Sequence, residues 1–464
     1  MARINPATGA ELDPVPSDSD ADVEAALTDA AETFPSWAAR GIDERRSLLA
    51  NAAEALRDNA DEYAELMTRE MGKPVDAARS EVEKCAWVCD HYAEHAADYL
   101  QDDHQPGPPD AETFVAHEPL GAVLAVMPWN FPFWQVFRFA APHLTAGNVG
   151  LLKHASNVPG CARAIEDVFA EAGYPDGVFQ SLVVDADTAE DVIRDDRVAA
   201  VTLTGSEPAG RAVAETAGRE LKKTVLELGG SDPFVVLDDA DVAAAARTGA
   251  RARTINSGQS CIAAKRFVVH ADVYDEFLDR FVDELAGLTV GDPTDEDTDV
   301  GPQARADLMA DLHDQVERSV DAGATLELGG EPLDRDGFYY PPTVLTDVPR
   351  DAAAAVEEVF GPVAAVFEVD DEAEAVALAN DTDLGLGASV WTADRDRGRA
   401  LARRIDAGAV FVNELVKSDP RLPFGGVGDS GYGRELGRDG IREFTNRKTV
   451  WVQDADGDAA SRSE

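Results

Sequence analysis

Gly121-Ala122-Val123-Leu124-Ala125-Val126-Met127 is an apolar run that leads into Pro128-Trp129-Asn130-Phe131-Pro132. Without polar alternation it reads as a strand covered on both faces, the kind found in parallel sheets. The same rhythm continues with strand 148–153, helix 158–172, strand 178–184, helix 189–195, strand 199–204, helix 208–217 and strand 223–227. Strands alternating with helices predict a doubly wound parallel sheet of the α/β class. A second α/β run covers about 234–409, set off by the Gly229-Gly230 turn. Upstream, apolar positions at helical spacing predict helices over 22–34, 43–71 and 75–100, with Gly72-Lys73-Pro74 breaking the last two apart. Residues 113–118 and 449–452 read as strands, and the final dozen polar residues read as a disordered tail.

A chain of 464 residues is long enough for roughly two to four domains. Its charge is the outlier: Asp and Glu number 89 against 41 Lys and Arg, for a net charge of −48. Only 8 of the basic residues are lysine. An even acidic coat with scarce lysine fits a protein of a salt-loving (halophilic) organism, where molar salt screens self-repulsion. The same coat argues against nucleic acid, which needs basic patches. No apolar run is long enough for a membrane span. The opening Met1-Ala2-Arg3-Ile4-Asn5-Pro6 lacks a signal-peptide core, so the expected location is cytoplasmic. Four cysteines make no disulfide framework. Cys85 and Cys89 share a helix face and read as core packing, since no further Cys or His pair completes a metal site.

Chemistry concentrates at two glycine-flanked motifs. Cys261 ends Asn256-Ser257-Gly258-Gln259-Ser260-Cys261, and Glu227 opens Glu227-Leu228-Gly229-Gly230. A thiolate is a good nucleophile toward a carbonyl carbon, and a carboxylate can activate water as general base. Asn130 follows the carboxyl end of a predicted parallel strand, where ligands bind in open α/β sheets. Its amide can donate to a developing oxyanion, with the Cys261 N–H as second donor. An asparagine that only fixes a Pro-rich turn is the competing reading. Thr204-Gly205-Ser206 joins a strand to a helix N-terminus, a geometry suited to pyrophosphate or to simple capping. No G-x-G-x-x-G is present. Lys153, at its strand end, is placed to contact ribose or phosphate. Glu358 and Phe360, in Glu357-Glu358-Val359-Phe360-Gly361-Pro362, offer a carboxylate for a ribose diol and a ring for a nicotinamide pocket. Pro423-Phe424-Gly425-Gly426 and Ser430-Gly431-Tyr432-Gly433-Arg434-Glu435 read as a structured loop over the site.

Taken in order with Pro128–Pro132 and Lys153, these motifs resemble the aldehyde dehydrogenase superfamily across nearly the whole chain. Phe133-Trp134-Gln135-Val136-Phe137-Arg138, Leu151-Leu152-Lys153-His154-Ala155-Ser156-Asn157-Val158-Pro159 and Gly229-Gly230-Ser231-Asp232-Pro233-Phe234 resemble its succinate-semialdehyde dehydrogenase branch. The resemblance implies a Rossmann-type NAD(P)-binding domain from 1–97 and 119–229, and an α/β catalytic domain from 230–446. It also implies a small β oligomerisation element from 98–118 and 447–456, ahead of a disordered tail at 457–464. Cys261 would form a thiohemiacetal and then a thioester, Asn130 would hold the oxyanion, and Glu227 would activate water. Trp129, Lys153, Ser156, Gly205, Ser206, Glu358 and Phe360 would contact NAD or NADP. Arg138 would hold a distal carboxylate, and the chain would form a homodimer or homotetramer. Two positions depart from the pattern. Phe139 stands where many relatives carry a relay lysine, and Ile255 where a second substrate arginine occurs. Ser156 stands where strict NAD enzymes often carry an acid, so NADP is permitted. A broad-range aliphatic or sugar-derived aldehyde dehydrogenase is the alternative, and a catalytically silent binding protein the reading from another class.

Overall fold

The run from Gly121 becomes the strand Ala122–Met127 at the middle of a six-stranded sheet. The computed structural model describes residues 3–453. Across that sheet the order is Gly431–Tyr432, Lys223–Glu227, Val198–Thr204, Ala122–Met127, Val149–His154 and Phe179–Leu182. Every pair is parallel except the outer Gly431–Tyr432 strand. The chain therefore reverses its direction of winding between Ala122–Met127 and Val198–Thr204. The crevice beyond their carboxyl ends is the switch point where such sheets bind ligands.

The second run forms a seven-stranded sheet, ordered Thr325–Leu328, Thr343–Thr346, Val363–Val369, Ala264–His270, Asp232–Val236, Gly387–Trp391 and Ala409–Val412. All its pairs are parallel but the first. Asp232–Val236 and most of Ala264–His270 are buried on both faces, which explains their lack of alternation. A third sheet pairs Thr445–Gln453 with Ala111–Pro119, antiparallel from Thr445↔Pro119 to Gln453↔Ala111, with Asp103–His104 on the other side. The tail expected to be disordered lies outside the described residues.

The amino-terminal helices are α1 (Asp20–Ala38), α2 (Ile42–Asp58), α3 (Ala60–Met71) and α4 (Val75–Leu100). The single helix expected over 43–71 is two helices, because Asn59 leaves helical geometry at φ −111°, ψ 19°. Gly72 ends α3 in the left-handed region at φ +83°, where a side chain would strain the backbone. Cys85 and Cys89 are both fully buried in α4. No helix was expected between Met127 and Asn148, yet α5 (Trp134–Ala146) fills that stretch. All its residues are buried, so it carries no amphipathic period to read. Glu81 of α4 supplies its missing cap, accepting the Phe133 and Trp134 N–H groups at 2.9 Å each. Lys73 pairs with the same buried carboxylate, so the start of α5 is pinned by an ion pair rather than by its own sequence. The helices α6 (Pro159–Glu171), α7 (Ala186–Arg194) and α8 (Glu207–Arg219) complete the first α/β unit. None of the described helices is long and apolar enough to cross a membrane.

Candidate active site

Two carboxyl-end loops of the first sheet meet the thiol loop of the second. Beyond Met127, Asn130 is buried, and its Nδ2 donates to the Gln259 carbonyl at 3.1 Å. Asn256 Nδ2 donates back to the Asn130 carbonyl at 2.6 Å and to Gln259 O at 3.0 Å. These bonds tie Asn130 to the segment carrying Cys261. A side-chain amide has two N–H donors, so one remains for a ligand.

The thiol loop holds three successive residues in the left-handed region: Asn256 at φ +55°, Ser257 at +56° and Gly258 at +77°. For the first two this costs roughly 1–2 kcal/mol each, which the surroundings must offset. Ser257 Oγ accepts from Gly301 N at 2.9 Å, Gln259 Oε1 from Ala304 N at 2.8 Å, and the Gly258 carbonyl from Arg253 Nη2 at 2.7 Å. A Cβ on Gly258 would collide with the Gly361 carbonyl, so the Glu358–Pro362 loop lies directly on the thiol loop. Glycine here permits both the dihedral and the contact.

Cys261 is partly exposed. Burial pushes its thiol up to about 12, while the Lys265 and Arg138 charges pull the other way. Lys265 Nζ donates to the Ser260 and Cys261 carbonyls at 3.0 and 2.6 Å and lies 3.8 Å from the Glu358 carboxylate. Lysine at this position carried no signal in the sequence, because its role depends on a carbonyl that turns back toward it.

Glu227 ends its strand buried, with neither carboxylate oxygen hydrogen-bonded. Burial, then Glu435, raises its pKa well above the ordinary carboxylate value, against Arg138 and Arg434. A Cβ on Gly425 would fall 2.7 Å from Glu227 Oε1, so only glycine lets the carboxylate rest there. Glu435 is also buried and ion-paired with Arg138. Arg138 Nη2 further donates to Thr204 Oγ1 at 3.2 Å, and its guanidinium stacks 4.8 Å from the Phe424 ring centroid. Arg138 is therefore buried, joined to Glu435, and not among the residues lining the cleft that holds Cys261. Its neighbour Phe139 packs on His143 and Phe444 in the core. Glu435 was not singled out from the sequence: it is a carboxylate among glycines, and its partner lies some 300 positions away.

Trp129, Asn130, Gly205, Ser206, Cys261, Glu358 and Phe360 line one cleft of about 710 Å³. Trp129 and Phe360 meet edge to face at 5.7 Å. Glu358 Oε1 accepts Gly230 N at 3.1 Å. Ser206 caps α8 without a side-chain bond, leaving amino-terminal N–H groups of the helix for an anion. A second cleft, of about 760 Å³, opens beyond Val149–His154 and Phe179–Leu182 and is lined by Ser156, Asp18 and Asp185. Both its carboxylates are engaged, Asp18 with Arg163 at 2.5 Å and Asp185 with Thr188 N at 2.9 Å. Lys153 is partly buried in the strand leading there, and burial lowers its pKa. Two clefts at the carboxyl ends of one parallel sheet, one apolar and ring-lined, fit an elongated dinucleotide.

The sequence pattern of the aldehyde dehydrogenase family matches residues 1–450. A probable succinate-semialdehyde dehydrogenase [NADP(+)] of Synechocystis sp. is 54% identical over 453 residues, covering 97% of this chain and 99% of that one. A succinate-semialdehyde dehydrogenase [NADP(+)] 1 of Mycobacterium bovis is 52% identical over 458 residues, with the same coverage. The crystal structure of succinic semialdehyde dehydrogenase from Streptococcus pyogenes in complex with NADP+ superposes with a TM-score of 0.95 at 37% identity, covering 97% of this chain and 99% of that one. With this agreement in sequence and fold, the chain belongs to the aldehyde dehydrogenase family.

Proposed function

We propose that this protein oxidises succinate semialdehyde to succinate with NADP as the preferred acceptor. The observation that carries this reading is the single cleft in which Cys261, the Asn130 amide and Glu358 meet. Cys261 adds to the aldehyde carbon, and the Asn130 and Cys261 N–H groups hold the oxygen of the thiohemiacetal. NADP, when bound, accepts the hydride. Trp129, Gly205, Ser206, Glu358 and Phe360 hold its reactive end, with Lys153 and Ser156 at the adenosine end. Glu227 then activates the water that cleaves the thioester, after its side chain leaves the rest position against Gly425. The near-full-length relatives named for succinate semialdehyde and NADP(+) support the substrate and cofactor. Engagement of Asp18 and Asp185 supports tolerance of a 2′-phosphate beside Ser156.

Initial rates with succinate semialdehyde and butanal, each with NADP and NAD, test the reading. A higher kcat/KM for the semialdehyde with NADP is expected. Equal values for the two aldehydes would return the broad-range alternative.

The protein is further proposed to work in salt-rich cytoplasm as a homodimer or homotetramer. Thr445–Gln453 is a sheet edge with Trp451 and Val452 exposed, the surface that strand pairing between copies would cover. A net charge of −48 predicts a melting temperature that rises as KCl is increased from about 0.1 to about 3 M, the range over which charge repulsion is screened out. Full stability in dilute buffer would contradict the halophilic reading.

A further inference from the structure

The Lys73–Glu81 ion pair is buried at both ends, and neither residue lines the cleft that holds Cys261. Such a pair is a poor source of stability, because the cost of desolvating two charges offsets most of their attraction. Its contacts are directional, however, and here they run to both of the loops that meet at the reacting centre.

The first loop, residues 128–133, joins the strand Ala122–Met127 to α5 and carries Asn130. Its start is fixed by the parallel strands on either side of Ala122–Met127. Its end is fixed by Glu81 Oε1, which accepts the Phe133 and Trp134 N–H groups at 2.9 Å each, three and four positions beyond Asn130. Lys73 Nζ, paired with Oε2 of the same carboxylate, lies 4.0 Å from the ring centroid of Phe131, the residue next to Asn130. Between these two holds, His154 Nε2 donates to the Pro132 carbonyl at 2.8 Å.

The second loop carries Cys261. Thr68 Oγ1 donates to the Lys73 carbonyl at 2.8 Å and fixes the turn at 72–74. A Cβ on Gly72 would strike Pro302, and one on Gly301 would strike the Gly72 carbonyl, so this turn lies directly on Gly301 and Pro302. Those two residues hold the thiol loop. Gly301 N donates to Ser257 Oγ at 2.9 Å, and the Pro302 carbonyl accepts Gln259 Nε2 at 3.3 Å. Lys73 therefore reaches the thiol loop through its backbone, and the Asn130 loop through its side chain and Glu81.

We propose that the Lys73–Glu81 pair is a positioning device that sets the Asn130 amide against the Cys261 N–H, so that both oxyanion donors are aimed before the aldehyde arrives. This rests on the oxyanion role given to Asn130 above and adds the residues that hold it in place. Neither Lys73 nor Glu81 touches substrate or cofactor. Donors stabilise a developing charge best when they need no reorganisation at the moment of reaction, and a small displacement forfeits much of that gain.

The test is a double-mutant cycle on kcat/KM for succinate semialdehyde at saturating NADP, with Glu81→Gln, Asn130→Ala and the two combined. Glutamine keeps an oxygen for the two N–H groups and removes the charge that holds Lys73. Glu81→Gln is expected to lose about 10- to 100-fold, the scale of a catalytic group misplaced from a distance. Asn130→Ala is expected to lose about 10²- to 10³-fold, as for one oxyanion donor. In the Asn130→Ala background, Glu81→Gln should cost no more than about threefold, because the donor it positions is gone. Lys73→Met, which leaves both N–H bonds to Glu81 in place, should show a smaller loss that vanishes in the same background. The rise in melting temperature on adding NADP should be equal in wild type and Glu81→Gln. No loss in Glu81→Gln, or an equal loss with and without Asn130, would overturn the proposal while leaving the oxyanion reading intact. Full activity in Asn130→Ala would remove the oxyanion reading and this proposal together. If Glu81→Gln and Lys73→Met were both unfolded at the assay temperature, the pair would be a requirement of the fold and the positioning role would fall.

Discussion

In Glu227→Gln the first turnover is expected to proceed and the next to stall. Glutamine keeps the shape of the side chain but cannot take a proton from water, so the Cys261 thioester should accumulate. Rapid mixing with NADP and succinate semialdehyde should give a burst of one NADPH per active site. Steady turnover should then fall by about 10²- to 10⁴-fold, the usual contribution of a general base. Intact mass should show the acylated protein. An unchanged steady rate would remove Glu227 from the deacylation step. Stability should move the opposite way. Burial raises the Glu227 pKa well above its ordinary value. Between the unfolded value of about 4.3 and the folded one, the unfolded chain therefore binds fewer protons and wild-type stability falls as pH rises. Glutamine lacks that slope, so the variant should gain on wild type through this window in thermal melts.

Cys261→Ala is expected to abolish NADP-linked oxidation, by about 10⁴-fold or more, because Cys261 is the one thiol among the residues lining the cleft. NADP should still raise the melting temperature, since its proposed contacts lie elsewhere in the cleft. Retained turnover would overturn the mechanism, whereas an inert wild type would favour a silent binding protein. The free thiol should also report its setting. With its pKa pushed up to about 12, alkylation of the apoprotein by iodoacetamide should keep rising with pH and show no plateau below about pH 10. A plateau near neutrality would mean that Lys265 and Arg138 outweigh burial.

Much of the architecture was legible because its strands are short, apolar and bounded by turn residues. Ala122–Met127, Val149–His154, Val198–Thr204 and Lys223–Glu227 fall within one or two residues of their expected places. The unforeseen α5 shows where such reading stops. A helix buried on every side has no polar stripe, and its cap comes from Glu81, on another helix. Asn59 divided α2 from α3 for a related reason: asparagine is tolerated within helices, and only packing decides whether it ends one.

The site divides in the same way. Cys261, Glu227, Asn130, Trp129, Ser206, Glu358 and Phe360 were visible because each stands in a short motif of glycine, proline or aromatic residues whose local geometry constrains it. Lys265 and Glu435 were not, because each acts through a partner distant in sequence: Glu358 for Lys265 and Arg138 for Glu435. Arg138 stood out from its motif, but its engagement with Glu435 appears only in the folded chain. Apolar periodicity and motif spacing thus carried the α/β class and the covalent chemistry, since both are written in local sequence. Which charges are spoken for was decided by tertiary packing. Burial makes every unpaired charge expensive, and pairing can be counted only once distant segments have met.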